Sequence, residues 1–182
     1  YGSWLESDTG EKYLDFGSGI AVTCLGHSHP KLVEVLKNQA ERLWHTSNLF
    51  RIPNQEELAK KIVDNTFADK VFFTNSGTES IECAIKMARK YHYEKGNIRK
   101  TRIITFEGSF HGRSMAAISS SGAEKLVRGF YPLLSGFDKI SIGDVNQLQA
   151  SITEETAGIL IEPIVGEGGI KEIPQKFLQY LR

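Results

Sequence analysis

Val71-Phe72-Phe73-Thr74-Asn75-Ser76-Gly77-Thr78-Glu79-Ser80-Ile81 is the stretch on which the reading of this chain turns. The apolar run Val71 to Thr74 predicts a buried strand, and Ile81, Ala84, Ile85 and Ala88 recur at helical spacing. One small-residue turn joins the two. A strand ending in such a turn leaves the first N–H groups of the next helix unpaired, and the helix dipole adds partial positive charge at the same point. Ser76 and Thr78 supply hydroxyl donors and Gly77 admits a close backbone approach, so the local chemistry suits capture of a phosphate. The same residues also read as an ordinary capped helix, with Ser76 or Thr78 as N-cap and Glu79 as a first-turn acid, and spacing alone favours that reading. The turn has neither the lysine of a P-loop nor the glycine spacing of a dinucleotide fingerprint, which disfavours ATP and NAD.

On either side of this stretch, strands and helices alternate. Trp4 to Ser7 and Lys12 to Phe16 flank the turn composition Asp8-Thr9-Gly10 and predict a hairpin, followed by a glycine-rich loop. Helical periodicity runs from Pro30 through Leu32, Val35, Leu36, Gln39, Ala40 and Leu43. A second helix is expected to start at Asn54, with Glu57 in capping-box relation. Beyond the serine turn, Arg102 to Phe106 and Ala157 to Ile161 predict buried strands, Lys139 to Ile142 a weaker one, and Pro174, Phe177, Leu178 and Leu181 a last helix. The alternation implies an α/β fold with a mainly parallel sheet.

Composition narrows the function classes. The 182 residues are 40% hydrophobic, and 22 basic residues balance 22 acidic ones, so the charge gives no electrostatic case for nucleic acid. Cys24 and Cys83 stand in no metal-ligand or redox spacing, which favours a reducing, cytoplasmic setting. No apolar run reaches membrane-spanning length. His27-Ser28-His29 lacks further ligands nearby in sequence, so no metal site is expected, and no base adjoins either cysteine to make it a nucleophile.

In a parallel sheet, ligands collect at the carboxyl ends of the strands, and three ends here are rich. The first leads into Asn75-Ser76-Gly77-Thr78, the second into Glu107-Gly108-Ser109-Phe110-His111-Gly112-Arg113, and the third into Glu162-Pro163-Ile164-Val165-Gly166-Glu167-Gly168-Gly169. If the ends meet, they gather a phosphate cradle, an aromatic plane, a cation and two carboxylates, a set that suits a planar phosphorylated cofactor and an anionic substrate. Each residue also has a plainer reading: Phe110 as core filling, Arg113 as a surface arginine at a helix end, Glu167 as an exposed loop acid.

Taken in order, Tyr13-Leu14-Asp15-Phe16, Gly19-Ile20-Ala21-Val22, Leu25-Gly26-His27-Ser28-His29-Pro30, Ser76-Gly77-Thr78-Glu79, Ser109-Phe110-His111-Gly112-Arg113 and Glu162-Pro163 resemble the class III (ornithine-type) aminotransferases, over essentially the whole chain. The resemblance implies pyridoxal 5'-phosphate (PLP) as cofactor and the aspartate aminotransferase-like fold. Residues 1–50 would be part of a small α+β domain and its connecting helix, and residues 51–182 the first half of the cofactor-binding large domain. It implies that Ser76, Gly77 and Thr78 bind the cofactor phosphate, that Phe110 lies against its ring, and that Arg113 takes a substrate carboxylate. Glu167 is similar to the family's gate residue, which neutralises a downstream arginine and releases it when a dicarboxylate enters; Glu162 would support the cofactor's surroundings. Val165 departs from the polar residue many relatives carry, which touches the fine substrate tuning.

Gly19 to Val22, Leu43-Trp44-His45-Thr46-Ser47-Asn48 and Phe110 to Arg113 look most like the acetylornithine-using branch, with N2-acetyl-L-ornithine and 2-oxoglutarate as substrates, in arginine biosynthesis. Ornithine or 4-aminobutyrate as amino donor is the nearer alternative. The family's Schiff-base lysine and its pyridine-binding aspartate lie downstream of Glu162-Pro163, past Arg182, so no catalytic residue is assigned here. The chain opens at Tyr1 rather than Met and stops inside a helical pattern, and the expectation is an amino-terminal half, inactive alone and homodimeric when full-length. A chain truly ending at Arg182 would instead be a non-catalytic remnant or interaction module.

Overall fold

The computed structural model of the chain describes all residues from Tyr1 to Arg182, in two compact units, Tyr1–Val71 and Phe72–Arg182. This division differs from the domain boundary expected after residue 50.

The first unit opens with the expected hairpin. Strands β1 (Trp4–Glu6) and β2 (Lys12–Leu14) pair antiparallel, with Leu5 opposite Tyr13. The glycine-rich loop that follows is a left-handed turn, α1 (Ser18–Ala21): Ser18, Gly19, Ile20 and Ala21 all have φ between 46° and 65°. For the three residues with side chains this costs about 1–2 kcal/mol each. Asp15 offsets part of it, accepting from Ser18 N at 2.9 Å while its other oxygen lies 2.7 Å from His27 Nε2. Sequence spacing left His27 without an acidic neighbour, and the fold supplies one.

Helix α2 (Pro30–Ala40) begins at Pro30 and stops short of Leu43. Helix α3 (Pro53–Asp64) corrects the capping expectation: Pro53 takes the first helical position, Ile52 is the N-cap and contributes no side-chain bond, and Asn54 lies inside the helix. Arg51 instead donates to Glu56 in the first turn, at 2.7 and 2.6 Å. No residue of this unit is buried.

The second unit carries the core. Helix α4 (Gly77–Glu94) is followed by strands β3 (Arg102–Phe106), β4 (Phe137–Ile140) and β5 (Thr156–Ile159), with β3 central and parallel to both. Alternation along β3 divides its side chains between two faces. Ile103 packs with Ile85 of α4 and Ala116 of α5 (Met115–Ser120). Ile104 and Phe106 pack with Ile140, Leu148 of α7 (Val145–Ser151), Val165, Ile173 and Phe177 of α8 (Gln175–Leu181). Both faces are covered, the condition under which a parallel sheet is stable. The rings of Phe106 and Phe177 meet edge to face at 5.9 Å. Across β3 and β4, Arg102 donates to both carboxylate oxygens of Asp138, and this pairing holds the guanidinium charged.

One expectation is corrected here. Val71 to Thr74 do not form a strand: they enter no ladder, and Phe72 is 70% exposed. A central strand is made by its neighbours, and none of the strands of this unit lies beside it. Ile164 to Glu172 form a tight hairpin of β6 (Ile164–Val165) and β7 (Lys171–Glu172), with residues 166–170, Glu167 among them, as its turn.

Candidate active site

The serine turn survives without its strand because its geometry is local. Ser76 is extended (φ −156°, ψ 163°) and its Oγ accepts from Glu79 N at 3.2 Å, while the Glu79 carboxylate accepts from Asn75 N at 2.7 Å. This reciprocal cap satisfies the donors of Asn75 and Glu79. Eighteen residues later the helix closes on a Schellman motif: Asn97 N donates to His92 O at 2.9 Å and Gly96 N to Tyr93 O at 3.0 Å, with Gly96 at φ 78°. The N–H groups of Gly77 and Thr78 remain without an intramolecular acceptor, and no atom lies within 4 Å of where a Gly77 Cβ would stand. The capped-helix and anion-binding readings are therefore compatible, since the cap uses different donors from those left open.

The loop after β3 closes on this turn, and the segment after β5 closes on that loop. Gly112 (φ 115°) runs so near Thr78 that an added Cβ would lie 2.3 Å from Thr78 Oγ1. Glu162, after β5, accepts from Phe110 N at 2.7 Å and from Gly166 N at 3.3 Å. Gly168, in the β6–β7 turn, sits against Gly108, whose carbonyl oxygen would be 3.1 Å from a Cβ there. Ser76, Gly77, Thr78, Phe110, Glu162 and Glu167 thus share one end of the β4-β3-β5 sheet.

Beneath the second loop lies a group of buried hydroxyls that the sequence reading passed over. Ser109 Oγ donates to Phe106 O at 2.7 Å, Ser121 Oγ donates to Ser109 O at 2.6 Å, and Ser109, Ser120 and Ser121 are all but inaccessible. They bond the loop to the chain that follows α5, so Phe110 projects from a fixed base. Phe110 is 36% exposed and does not fill the core of this unit.

Arg113 is exposed, makes no hydrogen bond or ion pair, and does not cap α5. Ser114 does that: its Oγ accepts from Ala117 N at 3.3 Å and donates to Glu82 of α4. A cation beside the positive end of a helix does not stabilise that helix. Its fork is available for another anion.

His111 is a second residue missed by the sequence reading. It is 4% exposed, its Nε2 has no hydrogen-bond partner, and burial pushes its pKa down, partly opposed by the charge of Glu162. Only the packing of neighbours could reveal this. Glu167, in contrast, has a partner: Lys125 Nζ of α6 (Glu124–Val127) lies 2.6 Å from its Oε1 and holds the carboxyl below its ordinary value. A groove of ≈ 960 Å³ runs along Phe72, Phe73, Cys83, Met87 and Tyr91 and reaches the cap residues Asn75 and Glu79, but none of Gly77, Thr78, Phe110 or Arg113 lines it.

The family profile described as aminotransferase class-III matches residues 1–182, the whole chain. The chain belongs to the class-III aminotransferases. Acetylornithine aminotransferase from Agrobacterium fabrum (strain C58) is 59% identical over 181 residues, covering 100% of this chain and 45% of that relative. Among solved structures, the ornithine aminotransferase from Toxoplasma gondii, whose crystals show partial occupancy of PLP at its active site, superposes with a TM-score of 0.89 at 31% identity, over 98% of this chain and 43% of that one. An aminotransferase from Bacillus anthracis superposes with a TM-score of 0.91 at 26% identity, over 99% and 45%. This class-III chain therefore spans about half the length of the curated relatives it matches. The fold expectation holds: the parallel sheet is part of the α/β domain of PLP-dependent aminotransferases. No helix of the chain is long and apolar enough to cross a membrane.

Proposed function

We propose that this chain is the amino-terminal part of an acetylornithine aminotransferase, which moves an amino group from N2-acetyl-L-ornithine to 2-oxoglutarate, giving the semialdehyde and glutamate in arginine biosynthesis. The observation that carries the reading is the meeting of the serine turn with the segments that follow β3 and β5, where open N–H groups of Gly77 and Thr78, Phe110 held at its backbone N–H by Glu162, and an unpartnered Arg113 stand in one unit. Identity of 50–59% to relatives named acetylornithine aminotransferase supports the choice of donor.

PLP is the cofactor of the class-III family, and the residues present fit it. When bound it supplies an electron sink for the carbon that bears the amine. Gly77 and Thr78 would donate their free N–H groups to its phosphate, with the Ser76 and Thr78 hydroxyls beside them and the dipole of an 18-residue helix behind. Phe110 would hold the plane of its ring. Glu162 fixes where Phe110 stands by bonding its N–H, and ties the β6–β7 turn to the same point. Arg113 would bind a substrate carboxylate with two parallel hydrogen bonds. Glu167 would act as the gate, pairing with an arginine beyond residue 182 for one half-reaction and leaving it for the other. The lysine that holds the cofactor also lies beyond Arg182, so these residues alone are inactive. Residues 1–50 contribute to a small domain and residues 51–182 to the first half of the large one, in a cytoplasmic homodimer.

The test is turnover by the full-length, PLP-loaded protein with 2-oxoglutarate and each of acetylornithine, ornithine and 4-aminobutyrate. The highest kcat/KM is expected with acetylornithine. Preference for ornithine or 4-aminobutyrate would move the assignment within the family, and no glutamate formed from any donor would overturn it.

A further inference from the structure

Glu167 is held by a residue for which the proposed reaction has no role. Lys125 Nζ lies 2.6 Å from Glu167 Oε1, and the carboxylate makes no other hydrogen bond. The two ends of the pair differ in freedom. Lys125 belongs to α6, anchored by the buried Val127 and by Ser121, whose hydroxyl bonds Ser109 O. Glu167 sits in the turn 166–170, between strands of two residues each and among Gly166, Gly168 and Gly169. The backbone is therefore better anchored at Lys125 than at Glu167. Both side chains are open to water, 64% and 47% exposed, so the pair is weak enough to exchange. Contact of the turn with Gly108 puts this exchange beside the loop that bears Phe110 and Arg113.

We propose that Lys125 is a specificity-determining residue: it is the resting partner that receives the Glu167 carboxylate when a dicarboxylate enters the site. The proposal rests on the reading of Glu167 as a gate. A carboxylate that gives up an arginine must be re-solvated or re-paired, and left free it repels an incoming dicarboxylate through the same field that attracted the arginine. Pairing with Lys125 cancels most of that repulsion and restores part of the lost attraction. The amino donor, bound with the gate closed, gains nothing from Lys125. Lys125 therefore biases the site toward its dicarboxylate half-reaction.

The experiment uses the full-length holoenzyme with Lys125→Met and Lys125→Arg. KM is measured for 2-oxoglutarate and for the amino donor, together with the Kd of glutarate, a dicarboxylate that cannot react. Lys125→Met is expected to raise the 2-oxoglutarate KM and the glutarate Kd about two- to fivefold relative to the donor KM, the range of an exposed ion pair. Lys125→Arg should return the ratio to wild type. In a Glu167→Gln background Lys125→Met should have no further effect, which separates the pair from a general change of surface charge. Both KM values moving by one factor, or neither moving, would overturn the role of Lys125 while leaving the aminotransferase reading intact. A wild-type enzyme that accepts no dicarboxylate would overturn the gate and Lys125 together.

Discussion

Replacing Gly112 with alanine should damage the proposed phosphate-binding turn from the neighbouring loop. Two costs add. Gly112 has φ 115°, a conformation that side-chain-bearing residues rarely adopt, and the strain is about 1–3 kcal/mol. The new methyl would also stand 2.3 Å from Thr78 Oγ1, 3.0 Å from its Cβ and 3.2 Å from its Cα. Relieving that overlap moves Thr78 by about 1 Å, an overpacking cost of about 1–3 kcal/mol. Thr78 is the second residue of α4, so it cannot move without tilting the Gly77 and Thr78 N–H groups. A misplacement of about 1 Å in a positioning group weakens its function as much as a hundredfold. In the full-length protein, Gly112→Ala should therefore lower stability in urea by about 2–6 kcal/mol and weaken PLP, titrated by absorbance, by at least about tenfold. The double variant Thr78→Ala, Gly112→Ala removes Oγ1 and the closest contact, leaving the φ strain. Its stability should exceed the sum of the single effects by about 1 kcal/mol or more. Strict additivity of the two substitutions, or a PLP affinity unchanged in Gly112→Ala, would refute the close packing from which the reasoning starts.

Glu162→Ala removes the acceptor that Phe110 N and Gly166 N share, and should destabilise the protein by about 1–3 kcal/mol and loosen cofactor binding, read from denaturation and PLP release; equal stability would show that water replaces the carboxylate at no cost. Asp15 is held below its ordinary value near 3.8 by His27 first and Ser18 N second, so its contribution is present above that value and is lost as pH falls through the lower folded value. Asp15→Asn should therefore flatten the acid limb of the stability curve below about pH 4, and an unchanged limb would dissociate the carboxylate from His27 in solution. His111 is pushed below its ordinary value of 6.5 by burial, so the unfolded chain takes up the proton first and stability falls as pH drops below 6.5 toward the folded value. Replacing His111 with Gln should remove that slope in urea titrations below about pH 6.5, and a slope that persists would place its origin in another group.

Legibility from sequence follows the range of the interaction involved. The cap of α4 needs only Asn75, Ser76 and Glu79, all within five positions, and it forms as read. The hairpin Trp4 to Leu14 was legible for a similar reason, from the turn composition Asp8-Thr9-Gly10, and the strands of the β4-β3-β5 sheet because apolar runs state burial directly. Val71 to Thr74 has the same composition as a buried strand, but a strand exists only through partners, and composition does not say whether they are at hand. The Asn54–Glu57 box failed because Pro53 pre-sets the first helical dihedral and displaces the cap to Ile52. The partners of Glu167 and Glu162, and the burial of His111, join positions far apart in the chain; no local pattern encodes them.

The core that supports the site is confined to the second unit: no residue from 1 to 71 is buried, while Ile104, Phe106, Ile140 and Leu148 are sealed beneath the strand ends. What positions Phe110, Glu162 and Gly112 is therefore the sheet and its two helical layers, not the apolar groove beside Phe72. It follows that substitutions in β3 should affect the candidate site more than equal losses of apolar surface at Trp4, Leu36 or Phe67, which are exposed in these residues. Phe106→Leu is the sharpest case, because it withdraws the ring that meets Phe177 and sits one residue before the loop that carries the site.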